Sequence, residues 1–100
     1  MVQNSGQIMT QVSAVSVSAI GNGIYHVEVR AGGVCTSHTV EVPGGMATEL
    51  GWDEDNEVEL VRQSFTFLLD REPASSILSR FSLDVIGRYF PEYPGDIRRY

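Results

Sequence analysis

Residues 15–42 read VSVSAIGNGIYHVEVRAGGVCTSHTVEV, and apolar and polar residues alternate along most of this run. Alternation with a period of two is typical of β-strands that bury one face. Glycine-containing breaks at 21–23 and 32–33 have the length of hairpin loops. The pattern therefore predicts a three-stranded antiparallel β-meander with strands at 12–20, 24–30 and 34–42.

The two loops also predict the register of the strands. The first loop pairs Val17 with Val27, and the second pairs Val27 with His38. This register brings the apolar residues of all three strands to one face. It also puts His38 on that inward face.

The hydrophobic period changes after Pro43. From Asp53 to Asp70 the apolar residues recur at spacings of three and four, which is typical of an amphipathic helix. Pro73 predicts a second helix over 74–81, and Ser82 predicts a third that ends at Phe90, before Pro91 and Pro94. The chain is therefore predicted to be α+β, with the meander followed by about three helices packed on one face.

Length and composition favour one domain. The chain has 100 residues, of which 42% are hydrophobic. We expect a flexible N-terminal tail at 1–10, a single α+β domain at 11–97 and a C-terminal tail at 98–100. No apolar run approaches the ~18 residues of a membrane span, and the first residues do not resemble a signal peptide. We therefore expect a cytoplasmic protein without membrane contact.

Charge and cysteine usage narrow the classes of partner. The 13 acidic residues exceed the 7 basic residues, all of which are arginine, and the net charge is -6. A negative field repels phosphate backbones, so nucleic-acid binding is not favoured. The single cysteine, Cys35, cannot form an intramolecular disulfide, and no Cys/His spacing matches a zinc site. We expect no cofactor and no metal.

Two features could carry chemistry. His38 is a candidate buried polar group, and we expect its ring to hydrogen-bond a backbone carbonyl or a hydroxyl. Cys35 lies three residues away and projects from the opposite face, so the two do not form a nucleophile–base pair. The acidic run at 53–59 lacks the glycine of a calcium-binding loop, and we interpret it as the favourable start of the long helix.

The C-terminal aromatic residues are the candidate interaction surface. Prolines flank several of them, and tyrosines beside prolines provide rigid amphipathic contact area. The predicted surface consists of Tyr89, Phe90, Tyr93 and Tyr100.

Several segments resemble a family of small uncharacterised bacterial proteins. They are residues 64–73 (SFTFLLDREP), residues 76–78, the RYFPEYP motif at 88–94 and the Ser-His-Thr-Val stretch at 37–40. The resemblance covers roughly residues 20–97 and implies bacterial origin and a shared fold with a helical ending, but no reaction. Residues 40–51 also loosely resemble swapped-hairpin bacterial transition-state regulators, without their basic DNA-facing residues.

Three functions remain open at this point. The first is a non-catalytic protein-interaction or regulatory module with an unknown protein partner or a second copy of the chain, using a hairpin edge or the aromatic surface. The second is a DNA-binding regulator that uses the helices at 74–90, with Arg80 and Arg88 as phosphate contacts. The third is an enzyme centred on His38. We favour the first and expect no catalysis.

Overall fold

A computed structural model describes residues 14–31 and 33–99. The predicted tail at 1–10, the start of the first predicted strand, Gly32 and Tyr100 lie outside the described residues. The described part is α+β, with a four-stranded mixed sheet that is mostly antiparallel and four short or medium α-helices.

The first three strands form the predicted meander. They are β1 (Ala14–Gly21), β2 (Ile24–Ala31) and β3 (Val34–Glu41), and neighbouring strands are antiparallel. Val17 pairs with Val27, and Val27 pairs with His38, so the predicted register is confirmed. An irregularity between Ala19 and Gly21 accommodates one extra residue before the turn.

The sheet has a fourth strand, so the predicted three-stranded sheet is incomplete. Strand β4 (Arg80–Ser82) runs parallel to β3, and the sheet order is β1-β2-β3-β4. The hydrogen bond from the Thr39 N–H to the Ser79 carbonyl, 2.8 Å, brings the chain onto the edge of β3.

The predicted helix over 74–81 is therefore wrong. Only a 3-10 turn, Ala74–Ser76, follows Pro73, and Ile77 is already extended. The apolar residues that suggested a helix are Ile77, Leu78 and Phe81. Ile77 and Phe81 are four apart, and a spacing of four also keeps residues on one side of a strand. Serines at 75 and 76 are weak helix formers. Backbone pairing with β3 therefore favours a strand over a helix in the segment that follows them.

The helices lie in the second half of the chain. They are α1 (Met46–Glu49), α2 (Glu57–Leu69), α3 (Ile86–Tyr89) and α4 (Tyr93–Ile97), with 3-10 turns at Glu54–Asn56 and Leu83–Val85. The long helix α2 is confirmed, as is helical structure after Ser82. Pro94, predicted to end a helix, instead lies in the first turn of α4, where its missing N–H costs nothing.

The core lies between one face of the sheet and α2. Val27, Val29 and Val40 from the sheet are fully buried against Leu60 and Phe65 of α2 and other apolar side chains of the cluster. The outer face of the sheet carries exposed side chains such as Glu28 and Ser37. One face of the sheet is therefore covered and the other faces solvent.

None of the helices in the described ranges is long and apolar enough to cross a membrane.

Candidate functional site

An apolar cleft lies where the end of α2, the segment before β4 and the helical turns around α3 meet. Its volume is about 230 Å³. Most of its surface is apolar. The principal lining residues are Leu68, Ile77, Phe81, Ile86 and Phe90.

The segment between the 3-10 turn and β4 is not helical, and it contributes Ile77, Leu78 and Phe81 to the lining of the cleft. Ile77 and Ile86 are buried and form its base, whereas Leu78 and Tyr89 stand at its rim. Leu78 is 52% exposed and Tyr89 is 70% exposed, which is high for large apolar residues. Sequence patterns could not identify Leu78 as a surface residue, because they placed it in a helix that does not form.

Glu72 is the charged residue that lines the cleft. Among the described residues, its carboxylate has neither a hydrogen bond nor an ion pair. The neighbouring Arg71 is engaged elsewhere, because its guanidinium contacts Glu92 at 3.1 Å and Asp96 at 3.2 Å and stacks on the Phe67 ring at 3.6 Å. The carboxylate therefore remains available to a cation that enters the cleft.

The predicted aromatic surface is only partly at the surface. Tyr89 is exposed and Phe90 is half-buried against Phe67, with ring centroids 5.8 Å apart. Tyr93 is 1% exposed, so its place in that surface is wrong. Its ring packs on Phe67 and its hydroxyl lies 2.7 Å from Ser64 Oγ. Tyr100 lies outside the described residues.

His38 is the buried polar group that the strand register predicts, and it is 3% exposed. Its Nδ1 donates to the Leu78 carbonyl at 2.8 Å, and its Nε2 lies 2.9 Å from Thr36 Oγ1. A carbonyl only accepts, so the neutral ring carries its proton on Nδ1 and accepts from the threonine hydroxyl. Both nitrogens are satisfied within the core, and this arrangement does not support an enzyme centred on His38.

Cys35 is exposed and lies on the other face of β3 from His38, as the alternation predicts. The acidic run leads into the long helix as interpreted, and Glu57 and Glu59 lie in the first turn of α2. Neither Asp53 nor Asn56 makes a side-chain capping hydrogen bond. Glu57 instead accepts a hydrogen bond from Tyr25 at 2.7 Å. No group of three potential metal ligands occurs in residues 14–31 and 33–99.

Glu57 and burial together change the titration of Tyr25. Burial, followed by the hydrogen bond to the Glu57 carboxylate, raises the pKa of the Tyr25 hydroxyl to about 12. The hydrogen bond from the Tyr25 hydroxyl to the Glu57 carboxylate links β2 to the start of α2. It is a structural contact between two elements of the core.

The two helices on which the DNA-binding alternative depends do not both form, because the predicted helix over 74–81 is absent. Arg80 lies in β4, and Arg88 lies in the four-residue helix α3. A recognition helix needs a preceding helix to position it on the duplex. The structure therefore does not support a DNA-binding role for the segment at 74–90.

The outer edge of β1 is the second candidate surface. Within the described part of the chain, no strand pairs with this edge. β1 carries no charged residue and no proline over its eight residues. Ile20, 60% exposed, lies near the end of this strand.

The RYFPEYP motif at 88–94 spans the end of α3, the following turn and the start of α4. Its packing accounts for its composition, since Tyr93 is buried and Phe90 borders the cleft. Comparison of the chain with protein-family models, with curated proteins and with solved structures finds no match.

Proposed function

We propose that this chain is a non-catalytic protein-interaction module that associates with a second copy of itself through the outer edge of β1. The observation that carries the proposal is the absence of a pairing strand on that edge in the described residues. An edge strand presents a row of N–H and C=O groups that can pair with another chain.

The composition of β1 supports this use of the edge. Proteins commonly protect an exposed edge with lysine, proline or a bulge. β1 has neither charged residues nor proline, and its irregularity lies between Ala19 and Gly21, so Ala14–Ser18 stays regular. The edge on the other side of the sheet is shorter, because β4 pairs with Thr39, Val40 and Glu41 of β3.

A twofold axis near Val17 gives a self-complementary arrangement. Two antiparallel copies of β1 then place Ser16 opposite Ser18 of the partner subunit, and the reverse. No like charges meet across this pairing, although each chain carries a net charge of -6. The half-buried Val15 and Val17 would continue the covered face of the sheet into the second copy.

The test is the oligomeric state of the full chain as a function of concentration. In sedimentation-equilibrium measurements we expect the wild-type protein to dimerise and the Ser16→Lys/Ser18→Lys variant to be monomeric. The variant brings four ammonium groups together across the twofold axis, and like charges directly opposite are destabilising. Both serines are exposed, so we expect the fold to tolerate the change.

The control is Ser37→Lys, which adds one positive charge, against two in the β1 variant, to the same face of the sheet on β3. We expect it to leave the dimer intact. A wild-type chain that stays monomeric at high concentration contradicts the proposal. So does a dimer that Ser37→Lys disrupts and the β1 variant does not, because the interface would then lie at the other edge.

A further inference from the structure

We propose that the cleft binds a peptide segment of a partner protein in which a large apolar side chain lies close to an arginine or a lysine. This site is separate from the edge of β1 and does not depend on self-association. Three properties of the cleft carry the inference: its volume, its apolar lining and the carboxylate of Glu72.

The volume favours a side chain over a cofactor. Small-molecule sites commonly measure roughly 300–1,000 Å³. The cleft, at about 230 Å³, is smaller than that range. An apolar cavity of roughly 150 Å³ can hold a benzene-sized group. The cleft therefore has room for one aromatic or large aliphatic side chain with part of its neighbour.

The lining indicates an apolar anchor. Ile77 and Ile86 form a buried base, 7% and 3% exposed, and the exposed Leu78 and Tyr89 form the rim. An anchor residue in such a pocket, surrounded by contacts that exclude water, is the usual centre of a protein interface. Tyr89 supplies a rigid ring that can cover the anchor from the solvent side.

Glu72 indicates the charge of the residue beside the anchor. It lines the cleft and its carboxylate has no hydrogen-bonding or ionic partner among the described residues, while Arg71 is held by Glu92 and Asp96. A guanidinium or ammonium group from a bound peptide would pair with this carboxylate. The net charge of -6 also attracts a basic segment and repels an acidic one.

The test is selection of random heptapeptides displayed on phage against the immobilised full-length chain, followed by affinity measurements on the enriched peptide. We expect enrichment of an aromatic or large aliphatic residue within a few positions of an arginine or lysine, in either order. Ser76→Phe places a ring at the wall of the cleft and should abolish binding of that peptide. Ser75→Phe, at an exposed neighbour that does not line the cleft, is the matched control and should bind as wild type.

The charge is tested separately. Glu72→Gln should weaken binding of the basic peptide roughly five- to tenfold and leave unchanged the binding of the same peptide with glutamine at its basic position. Asp70→Asn removes a nearby exposed carboxylate outside the cleft and should have little effect. Tyr89→Ser provides a second cleft variant at an exposed site, where folding is not at risk, and should also weaken binding.

Each other outcome overturns the inference. A neutral or acidic consensus, no enrichment, or binding that withstands both Ser76→Phe and Tyr89→Ser would show that the cleft does not take this ligand. If Ser76→Phe instead dissociates a dimer in sedimentation, the occupant is a second copy of the chain and the peptide proposal is wrong.

Discussion

Ser64 and Tyr93 place two hydroxyl groups in the interior, between α2 and α4. Ser64 Oγ donates to the Leu60 carbonyl at 2.8 Å, which uses its single hydrogen. The Tyr93 hydroxyl, 2.7 Å from Ser64 Oγ, therefore donates to the serine. This order of donors leaves neither buried hydroxyl without a partner.

The order of donors predicts unequal effects of removing each partner. Ser64→Ala leaves the Tyr93 hydroxyl buried without an acceptor, and we expect it to lower the free energy of unfolding by about 1–3 kcal/mol. Tyr93→Phe keeps the ring packing and leaves Ser64 bonded to Leu60, so we expect a loss of about 1 kcal/mol or less. Urea denaturation of both variants measures the difference.

The double variant Ser64→Ala/Tyr93→Phe is the control, and we expect its stability to be close to that of Tyr93→Phe. If Tyr93→Phe proved more destabilising than Ser64→Ala, the assignment of Tyr93 as the donor would be wrong.

At this scale, local sequence predicts a buried residue only where a period exists. His38 lies in an alternating strand, and its inward position follows from the register with Val27. Tyr93 lies between Pro91 and Pro94 at the start of α4, a helix of five residues that is too short to show a helical period in the sequence. Its burial depends on Phe67 and Ser64, which are more than 25 residues away, and local patterns carry no information on such contacts.

The loops of the two hairpins require glycine for different reasons. Gly23 has a φ of 69°, and a Cβ there would approach the Val42 carbonyl oxygen to 3.0 Å. Gly33 has a φ of 82° and has no atom within 4 Å of such a Cβ. Gly23 also accepts the Val42 N–H through its own carbonyl at 2.7 Å, so its loop is held against the end of β3.

Gly23→Ala should therefore destabilise the fold more than Gly33→Ala. Both alanines adopt a left-handed conformation, which costs about 1–2 kcal/mol. Only Gly23→Ala also brings a Cβ against the Val42 carbonyl oxygen. We therefore expect it to lower the free energy of unfolding by at least about 1 kcal/mol more than Gly33→Ala. Thermal and urea denaturation of the two variants provide the comparison. Equal losses would show that the loop moves away from Val42 without cost.

Elements whose partners are near in sequence are the ones that local patterns predict. The hairpins and α2 follow from periods of two and about 3.6, and their bounds are close to those observed. β4 is different, because its three residues become a strand only by pairing with Thr39, Val40 and Glu41. The cleft was missed for the same reason, since Ile77 and Leu78 line it from a segment that does not form the predicted helix.

Two core tyrosines, Tyr25 and Tyr93, make the free energy of unfolding depend on pH in the alkaline range. Burial raises the pKa of the Tyr93 hydroxyl to about 12, from an ordinary value of 10.0, and the pKa of Tyr25 is raised to about 12 as well. A raised pKa means that the folded state holds its proton more tightly than the unfolded state. The stabilising contribution is therefore complete below about pH 10 and is lost as the pH rises through about 12.

We accordingly expect the free energy of unfolding to fall between about pH 10 and 12, with Tyr93 contributing about 2–3 kcal/mol of the decline. In that interval the unfolded chain releases its phenolic proton while the folded chain retains it, so unfolding is favoured. Urea denaturation at a series of pH values measures the slope, and Tyr93→Phe should make it shallower. Tyr89→Phe alters a ring that is 70% exposed and is the matched control. A slope that Tyr93→Phe leaves unchanged would mean that other groups cause the alkaline loss of stability.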